Sequence, residues 1–188
     1  DPAERAARSA ASAVGERPFT FVDAGANVGL YTLHVANAGA RAGRPVCAIA
    51  VEPDAQNRAR LTCNLAANAF AATVVPAALT AHSGTIRLTP AGTNRGEIHA
   101  AADATGAEVA ALSLADLWEH HHVAHVDAMK MDIEGSERAA LTPFFSQVPS
   151  SRWPRLLIVE TGRRDHQGLI HFLPAAGYHL TQRTSLTA

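Results

Sequence analysis

Asp23, Glu52, Lys130, Asp132, Glu134 and Glu160 are the residues whose types and spacing can do chemistry. The acids stand at, or one residue from, the carboxyl ends of four predicted strands: Asp23 after Phe19 to Val22, Glu52 after Val46 to Val51, Asp132 with Glu134 at the end of Val126 to Ile133, and Glu160 at the end of Leu156 to Glu160, with Lys130 two residues before Asp132. Acids buried by chance would be scattered along their strands and would need partners. Acids gathered at the carboxyl edge of a parallel sheet lie where such sheets bind ligands. There they can accept hydrogen bonds from hydroxyls, attract a cation or move a proton.

The segment after Asp23 sharpens this. Gly25, Ala26, Asn27 and Gly29 form a loop of small residues, and a helical pattern begins at Val28. Glycines let a backbone approach a ligand closely and adopt conformations closed to other residues. A helix start also leaves N–H donors unpaired, which draws a polar ligand. Glu52, at the tip of the next strand, is placed to accept from ribose hydroxyls. The loop reads G-A-N-V-G, so it lacks the G-x-G-x-x-G spacing of a dinucleotide site. A carboxylate two residues before its first glycine would repel a pyrophosphate and suit an ammonium. The local chemistry therefore favours S-adenosylmethionine (SAM), which has an amino-acid tail, a sulfonium and no phosphate, over NAD.

Met129-Lys-Met-Asp-Ile-Glu-Gly-Ser-Glu137 is the second informative segment. Strand alternation puts Lys130 and Asp132 on one side and the two methionines on the other. Lys130 can serve as a salt bridge that orients Asp132, or bind or deprotonate a hydroxyl. Glu134-Gly135 makes a turn, and Glu137 reads as a charge favoured in the first turn of a helix. Lys130, Asp132, Glu134 and Glu160 are the candidate catalytic groups. Asp132 with Glu160 offers the hard oxygens that Mg²⁺ takes, but acids here serve equally as acceptors for SAM, and no metal is expected. Glu119 is followed by His120, His121, His122 and His125, yet no Cys or carboxylate set completes a tetrahedral zinc site. That run reads as a solvated connection.

The elements that must position these groups follow from pattern and composition. The 188 residues fit one domain (1–188, with a lead-in helix and connection over 1–18 and an α/β core over 19–182). A net charge of −1 gives no general attraction to nucleic acid or an anionic membrane. Only 5% of residues are aromatic, so the core must rest on Ala, Leu and Val. Cys47 and Cys63 fall inside a predicted strand and helix and read as buried reduced thiols. No apolar run reaches a membrane span and no signal-peptide pattern opens the chain, so a soluble, cytoplasmic protein is expected.

Strands are predicted at 19–24, 46–51, 73–77, 85–88, 109–112, 126–133, 156–160 and 178–181. Helices are predicted at 1–14, at 28–38 closed by Gly39, at 54–69, from Ser113, at 136–145 and at 165–176. Residues 90–107 read as a loop. Strands alternating with helices imply a doubly wound parallel α/β sheet.

With these segments in view, the chain resembles the FkbM-type family of SAM-dependent methyltransferases. The resemblance rests on Asp23-Ala-Gly-Ala-Asn-Val-Gly-Leu-Tyr-Thr, Val51-Glu-Pro-Asp, and Asn57, Leu61, Asn64 and Asn68. It continues through Ala77-Ala78-Leu79 with Gly84, Ser113-Leu-Ala-Asp, Lys130 to Glu137, Ile158-Val-Glu160 and Gly177-Tyr178. It implies a Rossmann-like, mostly parallel seven-stranded sheet with helices on both faces and an antiparallel last strand. It also implies O-methylation of a hydroxyl on a sugar or natural-product-like small molecule, with S-adenosylhomocysteine as by-product. Carried over, Asp23, Gly25, Ala26, Asn27 and Gly29 would hold the methionine part and Glu52 the ribose. Pro53, Asn57 and Ala78 would border the rest of the nucleoside, and Asp132 would sit near the methyl group. A tRNA methyltransferase with a similar cofactor half and a non-catalytic SAM-binding domain are the rival readings.

Overall fold

The computed structural model describes residues 17–90, 98–101, 106–161 and 168–183. In chain order its elements are β1 (Phe19–Ala24), α1 (Leu30–Ala42), β2 (Val46–Val51), α2 (Ala55–Ala67), β3 (Thr73–Val75), β4 (Ala77–Leu79), β5 (Gly84–Pro90), β6 (Ile98–Ala101), β7 (Glu108–Leu112), α3 (Leu114–His120), β8 (Ala128–Met131), α4 (Glu137–Gln147), β9 (Leu156–Val159) and α5 (Leu169–Ala175). Five strands in the order β3-β2-β1-β8-β9 form one sheet, parallel throughout. The order reverses at β1, so β1 and its two neighbours meet at the switch point where such sheets bind ligands.

Alternation along the strands gives the sheet two buried faces. Val22, Ala24, Ile49, Val51, Met129 and Met131 point one way, into a core shared with Leu114, Leu117 and Trp118 of α3, Leu141 and Phe144 of α4 and Leu169 of α5. Ala50 points the other way, toward Leu61 and Leu65 of α2 and Leu33 of α1. Trp118 packs edge-on against Phe144, ring centroids 5.1 Å apart, and its indole N–H donates to the Arg152 carbonyl at 3.0 Å. A large ring is thereby buried without an unpaired donor. Helices thus cover both faces, as a doubly wound sheet requires.

Among the described residues the sheet carries five strands, fewer than the seven expected. β4, β7, β5 and β6 form a second, four-stranded sheet, with β5 antiparallel to both neighbours. Pro76 divides them: the predicted strand over 73–77 stops at Val75 and resumes as β4, because proline cannot donate to a ladder. β5 is longer than the exposed strand expected over 85–88, and Leu88 is buried. Part of the segment read as a loop over 90–107 is β6, paired with β5.

The expected last strand, 178–181, is not a strand. Tyr178 instead closes α5: its N–H donates to the Leu173 carbonyl at 3.1 Å and its hydroxyl to the Pro154 carbonyl at 2.7 Å. β9 is consequently an edge strand in the described sheet, and Leu156 and Ile158 are 46% and 45% exposed.

Gly39 does not end its helix. α1 runs on to Ala42, and Gly43, at φ +65°, supplies the left-handed cap. Gly39 is small for a packing reason, since a Cβ there would lie 2.3 Å from the Val46 side chain. Cys47 and Cys63 are free and exposed rather than buried. Cys47 lies near the open start of β2, and Cys63 lies on the side of α2 away from Leu61 and Leu65. Asp54 caps α2 and Ser113 caps α3 through the Asn57 and Asp116 N–H groups, as the patterns imply. The helix expected over 1–14, and the start of the one expected from Asp165, lie outside the described residues. Among the described residues no helix is long and apolar enough to cross a membrane.

Candidate functional site

The loop after β1 is held from below. The Asp23 carboxylate accepts from the Thr32 N–H and hydroxyl in α1, at 3.0 and 2.7 Å. The N–H groups of Gly25 and Ala26 both donate to the Val51 carbonyl, at 3.1 and 2.9 Å. Asn64 of α2 donates to the Val28 carbonyl at 2.8 Å. Gly25, Asn27 and Gly29 all have positive φ, at 76°, 49° and 89°. At Gly25 a Cβ would fall 1.9 Å from the Asp132 carbonyl oxygen, so only glycine lets the loop cross the tip of β8 this closely. At Gly29 a Cβ would strike Leu61.

Glu52 ties this loop to the next. Its two carboxylate oxygens accept from the N–H groups of Asn27 at 2.8 Å and Asp54 at 2.9 Å. Burial raises its pKa, and these amide donors, with the Asn57 side chain, work against the rise. Spare lone pairs remain on each oxygen for a ligand hydroxyl.

The ammonium of Lys130 is buried under the loop. It donates to the Gly25 carbonyl at 2.7 Å and lies 3.3 Å from Asp132, 3.7 Å from Asp23 and 5.3 Å from the centre of the Tyr31 ring. Burial raises the pKa of Asp23, and the Lys130 charge is the largest opposing influence. The second Asp23 oxygen is buried without a hydrogen-bond partner, and Lys130 supplies its counter-charge. Lys130 and Asp132 do share a strand face, as alternation requires, and Lys130 faces inward to hold the loop.

Glu137 is more than a helix-end charge. It is buried, and one carboxylate oxygen accepts from the N–H groups of Ile133 at 2.8 Å and Gly135 at 3.3 Å. It therefore folds the turn in which Glu134 takes a φ of +54°.

These loops enclose a cleft at the carboxyl edge of the sheet, about 650 Å³ including its open mouth. Gly25, Asn27, Glu52, Pro53, Asn57, Ala78, Asp132 and Glu134, all singled out in the sequence, line it. Asp23, Ala26, Gly29, Lys130 and Glu160 do not: the first four support the walls, and Glu160 stands at the exposed tip of β9. Val51, Ala77, Leu79, Leu88, Ile133 and Ser136 complete the lining. Leu88 comes from β5 and carried no sequence signal, since only the second sheet brings it here. Among the described residues three carboxylates and no Lys or Arg line the cleft.

Glu160 has the most displaced carboxyl near the cleft. A hydrogen bond with Asp132, burial, and the charges of Asp132, Glu134 and Glu137 push it up to about 7. No group of three or more His, Cys, Asp or Glu among the described residues is arranged to hold a metal. His125 binds Arg17, Thr20 and Asp127 at the opposite edge of the sheet.

The family model for the methyltransferase FkbM domain matches residues 23–180. A crystal structure of methyltransferase FkbM from Methylobacillus flagellatus KT superposes with a TM-score of 0.52 at 21% sequence identity. The match covers 74% of this chain and 32% of that one, so the chain spans about a third of that protein's length. At this identity the likeness speaks for the fold. No curated protein matches the chain.

Proposed function

The chain belongs to the methyltransferase FkbM domain family, and we propose that it transfers a methyl group from SAM to a hydroxyl of a sugar or natural-product-like small molecule. The observation that carries this reading is the cleft wall. Among the described residues Glu52, Asp132 and Glu134 face the space with no Lys or Arg in the lining, beside an apolar strip of Pro53, Ala77, Ala78 and Leu79. Such a wall suits a nucleoside joined to a cationic tail and opposes a pyrophosphate.

In this reading Glu52 accepts from the ribose hydroxyls, and Pro53, Asn57 and Ala78 flank the base. The backbone of Gly25 and Asn27 borders the amino-acid tail, which the spacing of the loop glycines leaves room to approach. Asp23 and Lys130 act beneath, fixing the loop. When bound, SAM supplies an electrophilic methyl group on sulfur. The chain's own part is to hold the acceptor oxygen in line and close, which accounts for much of the acceleration of such displacements. The free, exposed Cys47 and Cys63 fit a reducing compartment, in keeping with a cytoplasmic enzyme.

Calorimetry with SAM, S-adenosylhomocysteine and NAD tests the cofactor. The first two should bind in the micromolar range and NAD should not. NAD binding more tightly than either would overturn the assignment. Incubation with SAM and a panel of hydroxylated glycosides, followed by mass spectrometry, should reveal a product heavier by one methylene.

A further inference from the structure

The tips of β8 and β9 stand side by side. Met131 pairs with Val159 in the parallel register, and the Glu160 N–H donates to the Met131 carbonyl at 3.0 Å, so the next pair is Asp132 beside Glu160. Their side chains leave the sheet on the same face as Lys130 and Ile158. The carboxyl groups of Glu160 and Asp132 share a hydrogen bond, while the Lys130 ammonium lies 3.3 Å from Asp132. The face therefore carries an ordered row of Lys130, Asp132 and Glu160.

The row runs from buried to open. Lys130 is 6% exposed and already bonded to the Gly25 carbonyl, which leaves it poorly placed to reach an acceptor. Asp132 is half-buried and lines the cleft, while Glu160 is exposed. Beside them Ile158, next to Lys130 in register, and Tyr31, over the Lys130 ammonium, are also exposed and offer apolar flanks to a docking molecule.

We propose that Glu160 takes the proton from the acceptor hydroxyl, with Asp132 and Lys130 as the groups that position it. The assignment rests on the methyl-transfer reading above. As the acceptor oxygen bonds to the methyl carbon, the carbon–sulfur bond breaks with its electron pair left on sulfur. The acceptor's proton passes to Glu160 and then to solvent. Among the described residues the charged groups facing Glu160 are Asp132 from β8, Glu134 from the turn and Glu137 from α4, all acidic. They hold its carboxyl near 7, where a general base is most effective at neutral pH.

The test has two arms. Carbon-13 carboxyl NMR of the wild-type protein should show one resonance titrating near 7, absent in Glu160→Gln and shifted toward ordinary carboxylate values in Asp132→Asn. With methyl-labelled SAM and the glycoside panel, Glu160→Gln should lower kcat by about 10²–10⁴-fold, leave S-adenosylhomocysteine affinity within about two-fold of wild type, and be partly rescued by Glu160→Asp. Wild-type kcat should rise with pH to a plateau above 7. A Glu160 resonance among the ordinary carboxylates, or a Glu160→Gln enzyme with near wild-type kcat, overturns the assignment. So does a wild-type protein that binds S-adenosylhomocysteine but methylates no hydroxyl. A wild-type protein that does not bind S-adenosylhomocysteine instead sinks the methyl-transfer reading itself.

Discussion

Lys130→Met keeps the length of the side chain and deletes its charge. The lost ammonium donates to the Gly25 carbonyl and lies 3.7 Å from Asp23, whose second oxygen has no other buried partner. At an effective dielectric of about 20, a unit pair at that distance interacts by roughly 4–5 kcal/mol. Removing one member of a buried pair costs about 3–5 kcal/mol, because the other charge is left uncompensated. Asp23 can escape part of this by taking up a proton. Burial already raises its pKa, and removing Lys130 removes the largest influence holding it down.

A carboxyl with a raised folded-state pKa stabilises fully below its unfolded value, and that contribution is lost as pH rises through the folded value. The deficit of the variant should therefore grow from pH 5.5 to pH 8. We expect a loss of about 3 kcal/mol at pH 8, which for this chain length lowers Tm by roughly 6–12 °C. Urea denaturation of wild type, Lys130→Met, Asp23→Asn and the double variant measures it. Asp23→Asn should recover most of the loss, giving a coupling of about 2–3 kcal/mol between the two sites. A loss under about 1 kcal/mol at pH 8 with no coupling to Asp23 would refute the argument that this pair holds the loop.

Gly25→Ala must move either the loop or the Asp132 carbonyl 1.9 Å from its Cβ, at a φ of +76°. It should cost about 2–4 kcal/mol and weaken S-adenosylhomocysteine binding, by denaturation and calorimetry. Glu52→Ala should weaken cofactor binding by about 1.5–3 kcal/mol, and an unchanged dissociation constant would rule out the ribose role. The same variant leaves the Asn27 and Asp54 N–H groups unpaired, so a lower Tm should accompany it. Glu160, pushed up to about 7 by Asp132 and burial, contributes stability that is lost as pH rises through that value. Glu160→Gln should therefore melt higher than wild type at pH 8, by an amount worth about 1 kcal/mol once solvent screening is allowed for, and differ little at pH 5.

The acids in and around the cleft were legible because their positions at strand ends are local. The carboxyl end of a strand is visible as an apolar run that stops at an acid, which is how Asp23, Glu52, Asp132 and Glu160 declared themselves. The sharp crossing at Gly25 and the caps at Asp54 and Ser113 are likewise written in a few neighbouring residues. What each acid faces is not local. Asp23 and Lys130 are 107 positions apart, and only the pairing of β1 with β8 makes them a buried pair. Glu160 owes its raised pKa first to Asp132 at the tip of the neighbouring strand, 28 positions earlier. Pro76 is visible as a breaker, but the strand beyond it joins a second sheet through pairing with residues 110–112. Periodicity also cannot tell a central strand from an edge one: Leu156 to Val159 reads as fully buried, yet lies at the edge of the described sheet with half its side chains open. Strand order, and with it the company each charged side chain keeps, is set by contacts between distant segments that a periodic pattern does not encode.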